Sequence, residues 1–428
     1  MKRNVLTLFA VSIFLVFLSA TATFSQTCPG GAGCLDPTFG IGGISTTYVP
    51  ATKPLTSGKG AIQSDGKILA MKLVLPGDSF TNAVIRYNPD GTLDPSFGSG
   101  GIVSLNWLNG HAYVIAVQTV GTEERIVVAG TGTGYTSSLR VDRFHPDGSP
   151  DLSFGSGGTV SITAGAPQTI AVQPDGKIVT MGTAGALVRL NVDGTLDAAF
   201  GSHGFIQNNT WRVQSIALQS DGRIVAAGYW TNVHGANLMS VWRFNTNGSL
   251  DDGGKNDSTR GDSFGTKGQT TIDSFNPAWD VKIDASGKIV VAGSASSVST
   301  VFAVARLTAV GQLDSTFGVG GKATVDFSGL GDQARSVLLR SNGQIILVGL
   351  VSTSTHGYAG LARFNSNGSL DTAFGQSGKV VTDFSSEGWF FSGGLIQMDP
   401  ICGCEKVIAS GTVITGGTYY AFAARYIL

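Results

Sequence analysis

Val84-Ile85-Arg86-Tyr87-Asn88-Pro89-Asp90-Gly91-Thr92-Leu93-Asp94-Pro95-Ser96-Phe97-Gly98 is the stretch from which the fold is read. Val84 to Tyr87 is a short run of β-branched and aromatic residues, the composition of a strand. Asp90-Gly91 follows as a tight-turn pair, with Gly accepting the positive φ that such turns require. The stretch closes on a tag, Leu-Asp-x-x-Phe-Gly. That tag returns, sometimes blurred, with its Phe at Phe39, Phe97, Phe154, Phe200, Phe264, Phe317 and Phe374. Successive tags lie 58, 57, 46, 64, 53 and 57 residues apart. Self-similarity at such a period marks a repeat architecture, here of seven units.

Working outward from the tag, each unit has the same contents. The second shows them plainly: Gly101 to Leu105, Tyr113 to Val117, Arg125 to Gly130 and Leu139 to Phe144 are four short β-rich runs separated by turns. One family of Asp/Asn-Gly turns joins the middle pair of runs (Asp65-Gly66, Asp175-Gly176, Asp221-Gly222, Asn342-Gly343). A second follows the last run (Asp90-Gly91, Asp147-Gly148, Asp193-Gly194, Asn247-Gly248, Asn367-Gly368). Four strands per unit over seven units is the arithmetic of a β-propeller. Composition agrees with an all-β class. Gly numbers 61 of 428 residues, about twice average usage, while charged residues are only 13% and Pro is sparse at 13. No stretch has the spacing of a long amphipathic helix.

The Asp-Gly-Lys-Ile and Leu-Asp-x-x-Phe-Gly combination resembles the delta-60 repeat family of bacterial exported proteins, from Leu35 to Leu428. The texture is also similar to propellers of the NHL type. That resemblance implies a strand order and no activity. The hairpin pair is innermost (strands A and B), the Arg-Phe strand is C, and the strand after the tag is outermost (D). The chain then begins with a lone D strand near Ile44 to Val49 and ends with an A-B-C set finishing at Arg425-Tyr426-Ile427. The N-terminal strand must therefore complete the last blade, a 3+1 closure that removes an open sheet edge.

The first residues read as a secretory signal peptide spanning 1–25. Lys2 and Arg3 form a basic start, Val5 to Leu18 an apolar run, and small residues follow before Gln26. The apolar run is shorter than the roughly 20 residues a membrane span needs. Residues 26–428 are expected as one secreted, periplasmic or cell-surface propeller, a monomer with no membrane span in the mature chain. Net charge is −1 with no clustered Lys and Arg, which argues against nucleic acid as partner.

Four cysteines stand at opposite ends of the chain, Cys28 and Cys34 against Cys402 and Cys404. Closure brings these ends together, so two disulfides linking them are the first expectation, and Cys28–Cys34 with Cys402–Cys404 is the alternative. An Arg recurs near the end of every strand C: Arg86, Arg143, Arg189, Arg243, Arg306, Arg363 and Arg425. Asp94, Asp151, Asp197, Asp251, Asp314 and Asp371 each follow eight residues after the first six, and Asp36 would serve Arg425. One reading makes this an anion-binding ring. Its tie to the turn in every unit favours a structural Arg–Asp brace, with the tag Phe packed between blades.

Candidate ligand contacts fall in or beside the D–A and B–C loops: Trp107, His111, Tyr135, Trp211, Trp230, His234, Trp279, His356, Tyr358 and Trp389, joined by Phe275 and Phe390. Exposed aromatic platforms suit sugar rings or peptide side chains, whereas the same rings could instead cap the core between blades. Trp242 lies within a strand C, and His145 and His203 belong to the opposite face. A three-histidine metal site from His111, His234 and His356 is weighed and set aside. No nucleophile-elbow, His-Glu-x-x-His or phosphate-loop motif stands in a fitting context, so no catalytic residue is assigned. The insertion Asp252 to Asp262 offers oxygens of the kind calcium takes (Asp252, Asn256, Asp257), but a solvated loop without a cofactor is the first reading. Its Arg260-Gly261-Asp262 tripeptide is of a kind that arises by chance. The expectation is a non-catalytic module binding a glycan or protein through the D–A/B–C face. The alternative is a channel enzyme, a hydrolase or lyase acting on sugars or lactones.

Overall fold

Seven four-stranded antiparallel sheets follow one another around an axis in the computed structural model. It describes residues 31–48, 59–72, 82–105, 107, 112–132, 138–182, 185–255, 257–259, 261–296, 299–354, 357–384, 388–415 and 418–428. The first blade runs Ala61–Ile62, Ile68–Lys72, Asn82–Tyr87 and Ile102–Leu105, from strand A to strand D. The next five repeat that order. A strands of neighbouring blades pack on one another and so surround the axis. The backbone amide of Ile115 donates to the carbonyl of Lys59 across one such seam.

The seventh blade is composite. Gly388–Met398, Glu405–Thr415 and Thr418–Ile427 supply A, B and C, and Ile44–Tyr48 adds D. The register runs from Ile44 opposite Ala424 to Tyr48 opposite Tyr420. Pairing continues past the strand. Asp36 N donates to Arg425 O at 2.8 Å, Ile427 N to Cys34 O at 2.9 Å, and Gly33 N to Ile427 O at 2.7 Å.

Alternation along each strand, buried on both faces in the middle of the sheet, divides the apolar core into seven slabs, one between each pair of adjacent blades. Every slab holds one tag Phe: Phe39, Phe97, Phe154, Phe200, Phe264, Phe317 and Phe374 are all 0–1% exposed. These rings are the largest apolar groups common to all units, so burying them is what docks one blade on the next.

Each tag ring is covered by the strand-C Arg of its own repeat, with the guanidinium carbon 4.3 to 5.0 Å from the ring centroid. Six of the seven also donate Nε to their Asp, and Arg425 pairs with Asp36 as an ion pair without an Nε hydrogen bond. The distances are 2.8 Å for Arg86–Asp94, Arg143–Asp151 and Arg363–Asp371, 2.7 Å for Arg189–Asp197 and Arg306–Asp314, 2.5 Å for Arg243–Asp251 and 3.0 Å for Arg425–Asp36. The Nη1 group then reaches a carbonyl at the C–D turn of the next blade, Arg86 to Pro146, Arg143 to Val192, Arg189 to Thr246, Arg306 to Ser366 and Arg425 to Pro89. The Arg–Asp unit therefore braces its own turn and stitches it to a neighbour.

The cysteines correct the first expectation. Cys402 and Cys404 are bonded to each other, Cα atoms 5.2 Å apart, across the A–B turn of the last blade. The turn itself brings them together: Gly403 between them takes φ 61°, and Asp399 accepts from Ile401 N. Neither is then available to link the chain ends, which are joined by strand pairing instead. Cys34 is disulfide-bonded as well, and Cys28, like the signal segment 1–25, lies outside the described residues.

Candidate functional site

Strand A begins at the D–A loop, and near its start the ladder to strand B slips in six blades. The extra residues are Tyr113, Gln168, Gln214, Trp279, Arg335 and Ser392. A bulge re-aims the side chain it carries, and repetition of one bulge around the axis builds a collar at the channel mouth. Tyr113, Gln168, Gln214, Trp279 and Arg335 are all partly buried there. Burial pushes the Tyr113 phenol up in pKa, against a hydrogen bond to Thr131.

One residue further along each strand is a tighter belt. Thr169 accepts from Ile216 N at 3.1 Å, and Asp280 accepts from Val337 N at 3.1 Å, so side chains of one A strand tie down the backbone of the next. Asp280 is 2% exposed and also accepts from Ser215 Oγ at 2.7 Å and Ser336 Oγ at 3.2 Å. Its fourth contact comes from across the axis. Lys59 of the first blade reaches Asp280 Oδ1 of the fifth at 3.1 Å and donates to the Trp279 carbonyl at 3.1 Å. Those blades are as far apart around the ring as two of seven can be, so the Lys59 side chain spans the channel. Lys282 stands 3.7 Å from the same carboxylate oxygen.

The electrostatics follow from that crowding. Burial works to raise the Asp280 pKa, but the Lys282 and Lys59 ammoniums and the hydroxyl and amide donors outweigh it and hold the carboxyl well below its usual range. Burial lowers the Lys59 pKa, with Lys282 and Arg335 adding to the effect and Asp280 opposing it. Arg335 is set apart: its guanidinium lies 3.8 Å over the Trp279 ring, and burial alone lowers its pKa. No described carboxylate pairs with it. Two ammoniums thus share one carboxylate, with a third cation, Arg335, beside them.

The aromatic candidates divide. Trp279 joins this collar. Trp230 at 37% exposure and His234 stand exposed on the B–C side, and Tyr358 is half-buried. Trp107 and Trp211 are not platforms, being 4% and 6% exposed. Trp107 donates Nε1 to Asp142 at 2.6 Å beneath Arg140, and Trp211 packs edge-on against Phe244 with centroids 4.8 Å apart. Both cap the core slabs, as does Phe275, whereas Trp242 lies inside one. His111, Tyr135 and His356 lie outside the described residues, as do the side chains of Trp389 and Phe390. In the insertion, Asp257 accepts from Asn245, Gly253 N and Thr259, and Asp252 from Gly254 N, so these carboxylates serve the loop's own donors; Asn256 and Arg260 are outside the described residues. Among the described residues no cluster of three metal-ligating side chains occurs, and no helix is long and apolar enough to cross a membrane.

Sequence reading missed Lys59, Asp280, Lys282 and Arg335. The signal was a break in the repeat: aligned on the A–B turn, Asp280 occupies the position of Val114, Thr169, Ser215 and Ser336.

Six segments, residues 63–97, 125–154, 173–200, 219–253, 285–317 and 340–374, match the family model described as a β-propeller domain of unknown function, DUF5122. Five of the segments end on the tag Phe, and the fourth ends at Gly253, inside the insertion that precedes Phe264. This is a propeller-repeat protein. No curated protein matches the propeller in sequence. Among solved structures it is similar to a polysaccharide lyase, an ulvan lyase bound to a GlcA–Rha3S saccharide, at 10% identity with 93% of this chain and 96% of that one covered and a TM-score of 0.50. It is also similar to the PQQ-bound aldose sugar dehydrogenase of Streptomyces coelicolor, at 13% identity, 79% and 98% coverage and a TM-score of 0.40. At such identities the likeness is one of fold.

Proposed function

We propose that this propeller is an exported binding module of the delta-60 type, recognising a glycan at the cell surface through the channel mouth on its D–A/B–C face. The observation that carries the reading is the collar. Trp279, Tyr113 and Arg335 converge there from three blades, on bulges of rigid strands, around a channel that Lys59 crosses. A partly buried indole in a collar that also carries Gln168 and Gln214 offers a sugar both an apolar surface and hydrogen-bond partners. The ulvan lyase, of similar fold, holds a saccharide, which supports the class of ligand and not its identity. Trp230 and His234 extend the same face outward.

Binding of the purified protein to immobilised polysaccharides tests this. Trp279→Ala is expected to weaken retention about tenfold, the effect of losing a central aromatic contact, while Trp230→Ala changes it little. Retention of no glycan, or retention indifferent to Trp279, would count against the reading. Turnover of a bound sugar would replace it with the channel enzyme.

A further inference from the structure

The cation excess in the collar narrows that reading, on which the following rests. Stacking on Trp279 uses the face of the Arg335 guanidinium and leaves its N–H donors free in the plane of the group. Among the described residues none of those donors reaches an acceptor and no carboxylate pairs with it. Such a group is costly to retain half-buried, and the strand-C arginines show the contrast, since each carries an Asp partner. Lys59 and Lys282 share the single carboxylate of Asp280, which its hydroxyl and amide donors already hold. The mouth therefore presents about two positive charges in excess, with Lys282 and Arg335 on A strands and Lys59 on a segment bridged to its neighbour. A carboxylate matches the in-plane fork of a guanidinium bidentately. Trp279 is only partly buried, so its indole offers a surface for a pyranose ring, and Gln214 stands at the same bulge position on the neighbouring blade.

We infer that the channel mouth is a subsite for an acidic saccharide, with a uronate carboxylate seated on Arg335, Lys59 supplying long-range attraction, and the sugar ring against Trp279. An acidic peptide offers the charge on a flexible stem without the rigid ring, and is the lesser fit.

Calorimetric titration of the full mature protein with oligogalacturonate and oligoglucuronate, each beside its neutral methyl ester, separates charge from sugar. An oligoglutamate peptide is the third probe. At least one acid saccharide is expected to bind about tenfold or more tightly than its ester, and more weakly as salt rises. Arg335→Gln is expected to remove that preference with little change in melting temperature, since among the described residues Arg335 makes no polar bond. Lys267→Gln, on an exposed outer turn, is expected to leave everything unchanged. Equal affinity for acid and ester, or an Arg335→Gln protein that keeps the preference, overturns the acidic subsite while sparing glycan binding. If neither sugar form binds, both readings fall, and binding of oligoglutamate alone assigns the mouth to an acidic peptide.

Discussion

Arg143 shows what one residue does in this fold. It gives Nε to Asp151, Nη1 to Gln118 and to the Val192 carbonyl of the next blade, Nη2 to Ser153, and its face to Phe154, all at 2% exposure. Removing one member of a buried pair leaves the other charged and unpaired, so Arg143→Met is expected to cost about 3 kcal/mol in urea unfolding. Asp151 carries the pH dependence. Burial would raise its pKa, yet bonds from Ser153, the charge of Arg143 and a bond from Arg125 bring it from 3.8 to about 2. A carboxyl lowered on folding stabilises the folded state above its unfolded pKa and loses that contribution as pH falls through the folded one. Asp36, Asp94, Asp197 and Asp314 are shifted in the same direction, so stability should fall steeply between about pH 4 and pH 2 in an acid titration followed by circular dichroism. Asp251 runs the other way: burial raises its pKa despite Arg243, so its charge is held at a cost. Asp251→Asn is accordingly expected to destabilise less than Asp151→Asn, and equal losses would contradict the assignment.

At the scale of the element, the bulged hairpin of strands A and B is what aims the collar. Strand B answers each bulge with a glycine, and at Gly349 an added Cβ would meet the Gln333 carbonyl oxygen at 2.0 Å and the Ala334 Cα at 2.9 Å, both backbone atoms that cannot step aside. Gly349→Ala is expected to cost about 2 kcal/mol and to disturb Arg335, one residue along from that contact; thermal melting together with saccharide titration checks both. Strands, turns and tags were legible because each is fixed by local chemistry: Gly91 by its turn, Asp94 and Arg86 by a brace eight residues long, Phe97 by the slab it fills. The collar was not, because Lys59 and Asp280 stand 221 residues apart and meet only when the ring is complete. Trp107 and Trp211 misled for a related reason. A Trp at a strand end reads the same in sequence whether it faces water or a neighbouring blade, and here Asp142 and Phe244 decide the matter.

For the whole molecule, seven similar sheets become one body only if the last meets the first. Phe39 lies in the slab between the seventh blade and the first, and Ile44 packs in the slab between the sixth and seventh. The N-terminal strand therefore fastens three blades while covering the open edge of strand C. A chain starting at residue 50 is expected to lose cooperative unfolding and to associate through that edge, as light scattering would show. The same closure holds the first and fifth blades at the distance Lys59 spans, so the channel site depends on it. Hydrogen exchange of the native protein tests the closure without altering a residue. The amides of Ile44–Tyr48 should be protected to the same degree as those of Tyr420–Ala424 opposite them and should open together with them. Exchange of Ile44–Tyr48 at the rate of an unstructured chain, beside a protected strand C, would contradict the closed ring.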